Sequence, residues 1–422
     1  MHSEFRSGVT GSTRVILVRH GQSTYNAEKR HQGCSDRSTL TEKGVQMAYQ
    51  TGRFLQPLAI DAVYSSPLKR AYQTAQQMLM ALPNGDSLPL HTSDLLQEVD
   101  LPAWEGLPYQ VVRERFADDY RHWKEQPHTF QMAYPQRFNS AEADKVNLQT
   151  AGSRRSGMIA PIIQQRFPVL DLYERASRFW QTVIPRHRGQ TLLVVSHGGA
   201  IRGLISTALD LPPSHYHQLQ QSNCGVSVLN FSADWNPFAS LAQLEMLNST
   251  RHLGETLPKL KEGRHGLRLL LLPCGEDNLS QTKQVADLLQ SIPIDFSLSS
   301  DSPGCKAMAD RVLQHHGGVI QHQISGQNFA QAWQGAISKR YPQGAATHLP
   351  TPIESTATHA LQLATGLIVT SAPLLKDLIE QTVGLPGQAN HLQPHHGISV
   401  LHYPDPHQLP ILQALNFSSF LL

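Results

Sequence analysis

Short, strongly apolar runs along this chain alternate with longer stretches whose apolar residues return every three or four positions. Val15-Ile16-Leu17-Val18, Ala62-Val63-Tyr64-Ser65, Leu192-Leu193-Val194-Val195 and Val226-Ser227-Val228-Leu229 are too short for helices. They read as strands buried on both faces, at about 14–18, 62–66, 191–196 and 225–231. Helical spacing fills 42–56, 68–81 and 200–209. Such alternation predicts an α/β fold, a mostly parallel sheet with helices on both faces. Segment 105–170 breaks the rhythm. Val111 to Trp123 keeps helical spacing, and Gln126 to Asn147 is rich in Pro, Gln and aromatic residues. We read 105–170 as an insert and expect it to act as a lid over a pocket. A purely decorative surface insert is the alternative.

Candidate chemistry sits where two of these strands end. The first stops at Arg19-His20-Gly21, and the run from Thr191 to Ser196 stops at His197-Gly198-Gly199. In an open α/β sheet, ligands bind at the carboxyl ends of strands. An arginine can fork onto phosphate oxygens, and an imidazole can attack phosphorus. Between the two lies Ser66-Pro67-Leu68-Lys69-Arg70, with Arg70 opening a helix, and then Leu96-Gln97-Glu98. Asp94, Asp100 and Glu105 lie close to Glu98 in sequence, and Glu105 reads as a structural or capping group.

In order and spacing, Arg19-His20-Gly21, Leu40-Thr41-Glu42-Lys43-Gly44, Ser66 to Arg70, Leu96-Gln97-Glu98 and Ser196 to Gly199 resemble the histidine phosphatase superfamily, the phosphoglycerate mutase-like enzymes. The resemblance implies their three-layer α/β/α fold and a two-step mechanism. His20 would attack phosphorus and carry the phosphoryl group. Arg19, Arg70 and His197 would hold its equatorial oxygens, where negative charge spreads in the transition state. Glu98 would protonate the leaving oxygen and then take a proton from water. The family also implies that Asn26, the Gln32-Gly33 turn and the Gly198 amide lie against the phosphate. Arg30 to Asp36 resembles the Gln-Gly form of the phosphatase members, where mutases usually carry Thr-Gly-Trp, so hydrolysis is expected.

Within that superfamily, Leu96 to Leu101, Phe116 to Pro127 and Leu219 to Leu229 resemble the two-domain plant and cyanobacterial 2-carboxy-D-arabinitol 1-phosphate phosphatases. The substrate implied is that sugar-acid phosphate or a related sugar bisphosphate. Phosphoserine hydrolysis and phosphoglycerate mutase activity are the alternatives. A non-catalytic binding or scaffold module is the alternative of another class, and the complete set Arg19, His20, Arg70, Glu98 and His197 argues against it.

The second half reads as a worn copy of the first. Leu269 to Glu276 aligns with Ile16 to Gln22, setting Pro273 over Arg19 and Cys274 over His20. Ile294 to Ser299 aligns with Ile60 to Ser65, Leu367 to Ser371 with Leu193 to His197, and Gly397 to Tyr403 with Gly225 to Phe231. Aligning Ser302-Pro303 with Ser66-Pro67 places Lys306 over Arg70, the one charge retained. The division expected is a flexible tail at 1–13, an active domain at 14–245, a linker at 246–266 and a degenerate, inactive domain at 267–422.

Composition narrows the partners. With 422 residues, 16% charged residues and a net charge of +2, the chain has room for two cores and no field suited to nucleic acid. No apolar run reaches a membrane span, and the start lacks a signal-peptide core. Cys34, Cys224, Cys274 and Cys305 show no paired spacing, which suits a reducing compartment. We therefore expect a cytoplasmic enzyme acting on a small phosphorylated metabolite. The histidine pairs His315-His316 and His395-His396 lack metal-ligand spacing, and no Gly-rich nucleotide loop occurs. No metal and no cofactor are expected, and the sequence does not indicate an oligomeric state.

Overall fold

The computed structural model describes residues 11–135, 163–236, 241–275, 279–340, 362–385, 391–394, 397–405 and 408–417. β1 (Thr13–Arg19) lies inside a six-stranded sheet. Parallel to it run β6 (Thr191–Ser196), then β2 (Ala62–Ser65) and the short β3 (Leu90–Thr92). On its other side run β7 (Val226–Phe231), antiparallel to β1, and then β8 (Gln243–Ser249), antiparallel to β7. The frayed start expected at 1–13 lies outside the described residues for 1–10, and Thr13 already opens β1.

Alternation along β1 builds the layers. Val15 and Leu17 face one core with Ala176 and Phe179 of α6 (Pro168–Val183) and Ile201 and Leu204 of α7 (Gly198–Ala208). Ile16 and Val18 face the opposite core with Ala48 and Leu55 of α2 (Glu42–Leu55) and Ala71, Ala75 and Met78 of α3 (Lys69–Ala81). All four β1 residues are fully buried, each burial contributing about 1.5–3 kcal/mol. This is the three-layer α/β/α arrangement expected. At the head of α2, the Thr41 hydroxyl accepts from the Gly44 amide at 3.1 Å, a side-chain cap for a group the helix cannot satisfy itself.

The insert holds α4 (Tyr109–Arg115), α5 (Ala117–Glu125) and an antiparallel pair, β4 (Met132–Pro135) with β5 (Ile163–Arg166). Its Trp123 and Phe130 pack with Trp104 just before it and with Val169, Leu172, Tyr173 and Tyr216 in one cluster. The described part is thus a small aromatic core seated on α6. Of the expected lid segment 105–170, residues 136–162 lie outside the described residues.

The second half repeats this sheet strand for strand. β9 (Leu267–Cys274), β10 (Phe296–Ser300), β11 (Ile320–Ile324), β12 (Ala364–Ser371), β13 (Ser399–Tyr403) and β14 (Ile411–Ala414) stand in the order β11-β10-β12-β9-β13-β14, matching β3-β2-β6-β1-β7-β8. Register fixes the equivalences. Arg19 pairs Ser196, and Pro273 pairs Thr370, so Cys274 stands for His20 and Ser371 for His197.

One alignment is corrected. In α9 (Pro303–Leu313) the buried residues are Cys305, Ala309 and Val312, in the places of Ala71, Ala75 and Met78 of α3. Gly304, not Lys306, therefore stands for Arg70, and Lys306 is exposed. The Ser-Pro pairs misled because Ser66 precedes α3 by three residues, whereas Ser302 caps α9 directly. A second correction concerns the cysteines. Cys274 and Cys305 form a disulfide with Cα atoms 5.1 Å apart. A strand end and a helix start bring them together, which spacing along the chain does not reveal.

The halves meet edge to edge along β8 and β14. Leu247 and Leu415 exchange backbone hydrogen bonds of 3.1 and 3.2 Å. Asn248 Nδ2 donates to the Gln413 carbonyl at 2.8 Å, and Asn416 Nδ2 to the Glu245 carbonyl at 2.7 Å. Both asparagines are left-handed, at φ 52° and 54°. The junction is therefore locally two-fold. It rests on a repeat the sequence reading missed, Leu244-Glu245-Met246-Leu247-Asn248 against Leu412-Gln413-Ala414-Leu415-Asn416. Leu211, Leu244 and Leu247 share one apolar cluster with Leu392, Leu412 and Leu415. Residues 246–249, expected in the linker, belong to β8.

Asn416→Ala removes two buried hydrogen bonds, to Glu245 and Gln393. It should lower the urea unfolding free energy by about 1–3 kcal/mol. A change below about 0.5 kcal/mol would contradict a bonded junction.

Candidate active site

Parallel β1 and β6 end side by side, and the loops beyond them carry the chemistry. The His20 amide donates to the Ser196 carbonyl at 2.8 Å, and the His20 and His197 ring centroids lie 5.2 Å apart. Both histidines are buried. The loop after His20 packs against the head of α2 so closely that a Cβ on Gly21 would sit 2.4 Å from the Gly44 carbonyl. Only glycine fits there.

His20 Nδ1 lies 2.7 Å from the Gly21 carbonyl. A carbonyl only accepts, so Nδ1 carries the proton and Nε2 keeps its lone pair. The ring's proton affinity is driven well below the ordinary histidine value, first by burial and then by the Arg19 and Arg70 guanidiniums, against the Gly21 bond. His197 is lowered likewise, by burial first, then Arg70, His20 and Arg19. Its Nε2 meets the Ser66 hydroxyl at 2.8 Å, and Nδ1 has no partner among the described residues.

Two guanidiniums flank this pair, neither ion-paired with a carboxylate among the described residues, though the Glu98 charge acts on both. Arg70, fully buried, donates to the Gly33 and Ser35 carbonyls at 2.9 and 3.0 Å. Arg19 donates to the Gln221 carbonyl at 3.0 Å. The Nε atoms of both are buried without partners among the described residues. Loss of hydration is the first cause lowering both guanidiniums' proton affinity. Such a pair is prepared for an incoming anion.

Glu98 sits at the start of α7. Its carboxylate accepts from the amides of Val99 at 2.8 Å, Ala200 at 3.0 Å and Gly199 at 3.2 Å. A helix N-terminus suits a carboxylate. A Cβ on Gly199 would fall 2.4 Å from Glu98 Oε1, so this glycine admits the side chain. From α6, Arg175 donates to the Gln97 carbonyl at 2.9 Å and to the Glu98 carbonyl at 3.1 Å, fixing the loop that carries the acid. The Gly198 Cα lies beside Arg19, whose Nε would stand 3.3 Å from a Cβ there.

The expected binding residues divide. Asn26 belongs to the site: Asn223 Nδ2 donates to its Oδ1 at 3.0 Å and to the His20 carbonyl at 2.9 Å. Gln32 instead accepts from the Ser23 and Ser38 hydroxyls at 2.8 and 3.3 Å, bracing the 23–38 loop. Gly33 supplies a carbonyl to Arg70. The motifs assigned no role to Ser66, Arg175 or Asn223; Ser66 and Asn223 stand inside them, and Arg175 reaches the site only through contacts distant in sequence.

A family model, the histidine phosphatase superfamily (branch 1), matches residues 15–146 and 150–242. A probable 2-carboxy-D-arabinitol-1-phosphatase from Arabidopsis thaliana is 34% identical over 53% of this chain and 39% of its own length. A 2-carboxy-D-arabinitol-1-phosphatase from Triticum aestivum is 30% identical over 62% of this chain and 45% of its own. The chain thus spans less than half the length of these two relatives. Phosphoserine phosphatase 1 from Hydrogenobacter thermophilus is 30% identical over 57% of this chain and 95% of its own length.

The buried imidazoles carry a stability signature. They are held neutral in the fold, and once unfolded they titrate near 6.5. Stability is complete above that value and falls as pH drops below it, because unfolding then takes up protons. The loss of urea stability between about pH 7.5 and about pH 5.5 should be smaller in His197→Asn than in the wild type. Equal losses would contradict a neutral His197.

Proposed function

The chain belongs to the histidine phosphatase superfamily, and on that footing we propose that it is a phosphomonoesterase working through a phosphohistidine on His20. The observation that carries this reading is the neutral His20 ring, its Nε2 unprotonated, between the guanidiniums of Arg19 and Arg70. Nε2 attacks phosphorus as the ester P–O bond breaks. Glu98 gives the leaving oxygen its proton. Arg19, Arg70 and His197 meet the charge on the equatorial oxygens, and the Gly198 amide and Asn26 border the group. Water then attacks, the N–P bond breaks, and Glu98 takes the water proton. Because the phosphoryl charge is met by the chain's own cations, the reading requires no metal or cofactor.

The catalytic domain in this reading is 14–245. Beyond the linker, residues 267–422 are a degenerate copy in which Pro273, Cys274, Gly304 and Ser371 replace the four cationic or nucleophilic groups. The substrate we favour is a small sugar or sugar-acid phosphate, with 2-carboxy-D-arabinitol 1-phosphate or a related sugar bisphosphate first. The two arabinitol-phosphatase relatives support it. Phosphoserine is the second reading, supported by the relative matched over almost its whole length.

p-Nitrophenyl phosphate assayed in EDTA tests the proposal. The wild type should turn it over, and His20→Ala should lose activity by about a thousandfold or more. Glu98→Gln should slow alkyl phosphates by about a hundredfold or more while costing aryl esters far less, because a nitrophenolate leaves without a proton. No wild-type turnover would overturn the enzyme. Equal losses on both esters would remove Glu98 as the acid.

A further inference from the structure

The segment between the two sheets does more than join them. Lys261 Nζ donates to the Gln221 carbonyl, the same oxygen that Arg19 Nη1 meets at 3.0 Å. One carbonyl oxygen therefore separates a linker ammonium from a guanidinium of the phosphoryl site. Arg202 of α7, whose Nε donates to the Leu219 carbonyl at 2.8 Å, adds its charge to both.

The nearest carboxylates are engaged elsewhere. Glu262 binds Lys124 at 2.9 Å. Glu255 binds Lys259 at 3.0 Å and accepts from the Thr250 hydroxyl at 2.6 Å. Among the described residues no carboxylate lies within ion-pair distance of Lys261, Arg19 or Arg202. Beside these cations, the Gln221 side-chain amide is buried, and neither its oxygen nor its nitrogen has a partner among the described residues. Lys261 is solvent-exposed and feels the Arg19 and Arg202 charges against those of Glu255 and Glu262. Positive charge gathered without an ion-paired acid, next to an unsatisfied amide, calls for an anion.

The linker is pinned there by the second half. Leu257 is buried in the second half's own core. The Pro258 carbonyl accepts from Arg268 at 2.6 Å, and the Lys259 carbonyl from Gln220 at 3.0 Å. Gln220 is in turn held by Gln413 at 3.1 Å. Lys261 follows two residues later.

We propose that Lys261, with Gln221 and Arg202, forms a second anion subsite that binds an acidic group carried by the substrate a few atoms from its phosphoryl group. This rests on the phosphatase reading and narrows its substrate class to phosphomonoesters bearing a carboxylate or a second phosphate. The degenerate half then has a role at the active site, since it holds the residue that reads the substrate's tail.

Competition against p-nitrophenyl phosphate hydrolysis, paired with calorimetric binding, tests the subsite. The probes are ethyl phosphate (uncharged tail), phosphoglycolate (carboxylate tail) and fructose 1,6-bisphosphate (second phosphate). In the wild type at least one acidic-tail probe should bind more tightly than ethyl phosphate. Lys261→Met should weaken that probe by about tenfold or more, change ethyl phosphate less than about twofold, and leave kcat for p-nitrophenyl phosphate intact. Lys261→Arg should restore most of the preference. The acidic-tail probe that loses affinity tells carboxylate from phosphate. Equal weakening of all probes, no weakening, or no wild-type preference would overturn the subsite. Failure of p-nitrophenyl phosphate turnover alone would instead strike the phosphatase reading, with calorimetry still deciding on Lys261.

Discussion

Two guanidiniums, Arg70 buried and Arg19 half-buried, with backbone carbonyls as their hydrogen-bond partners among the described residues, are the constraint on which the rest of this structure depends. Taking a cation out of water costs several kcal/mol unless a counter-charge replaces the solvent. Among the described residues Arg19 and Arg70 have no carboxylate within ion-pair distance, and the Glu98 charge acts on both from farther away. The surroundings make sense as devices for holding that frustrated arrangement. The Gly33 and Ser35 carbonyls fix Arg70, and the Gln221 carbonyl fixes Arg19. Burial first, and the same positive field after it, keep His20 and His197 neutral, so the charge that makes the pocket attractive to phosphate also helps keep the nucleophile unprotonated. Glu98, whose charge acts on both cations, is held by the amides of α7 as the proton carrier.

Duplication explains the remainder of the chain. The second sheet keeps every strand position and loses every reactive group, so its buried runs have been maintained for packing. Edge pairing of β8 with β14, with Asn248 and Asn416 answering one another, is the geometry expected of two like units joined about a two-fold axis. Here both units lie in one chain. The consequence reaches the active site, because the linker held by the second core carries Lys261, beside Arg19.

Much of this was legible in the residues. The β-branched runs located the central strands because strands buried on both faces need continuous apolar sequence. The strand-end residues located the site because the strand-to-loop junction is local. What stayed hidden was non-local or short. β3 is three residues long and largely exposed, so it has no apolar signature. β8 and β14 were missed because their shared Leu-Asn ending gains meaning only once the edges meet. Matching the Ser-Pro pairs put Lys306 over Arg70, since letters were aligned where helix caps should have been. The Cys274–Cys305 bond and the approach of Lys261 depend on tertiary contacts that no spacing encodes.

The central claim is a covalent one: phosphorus resides transiently on Nε2 of His20. Rapid quenching of the wild type during turnover, followed by phosphorus NMR and peptide mapping under alkaline conditions, reads it directly. The account predicts an acid-labile, base-stable phosphoramidate on His20 that forms and decays within a turnover. Phosphate released at full rate with His20 never modified would contradict it.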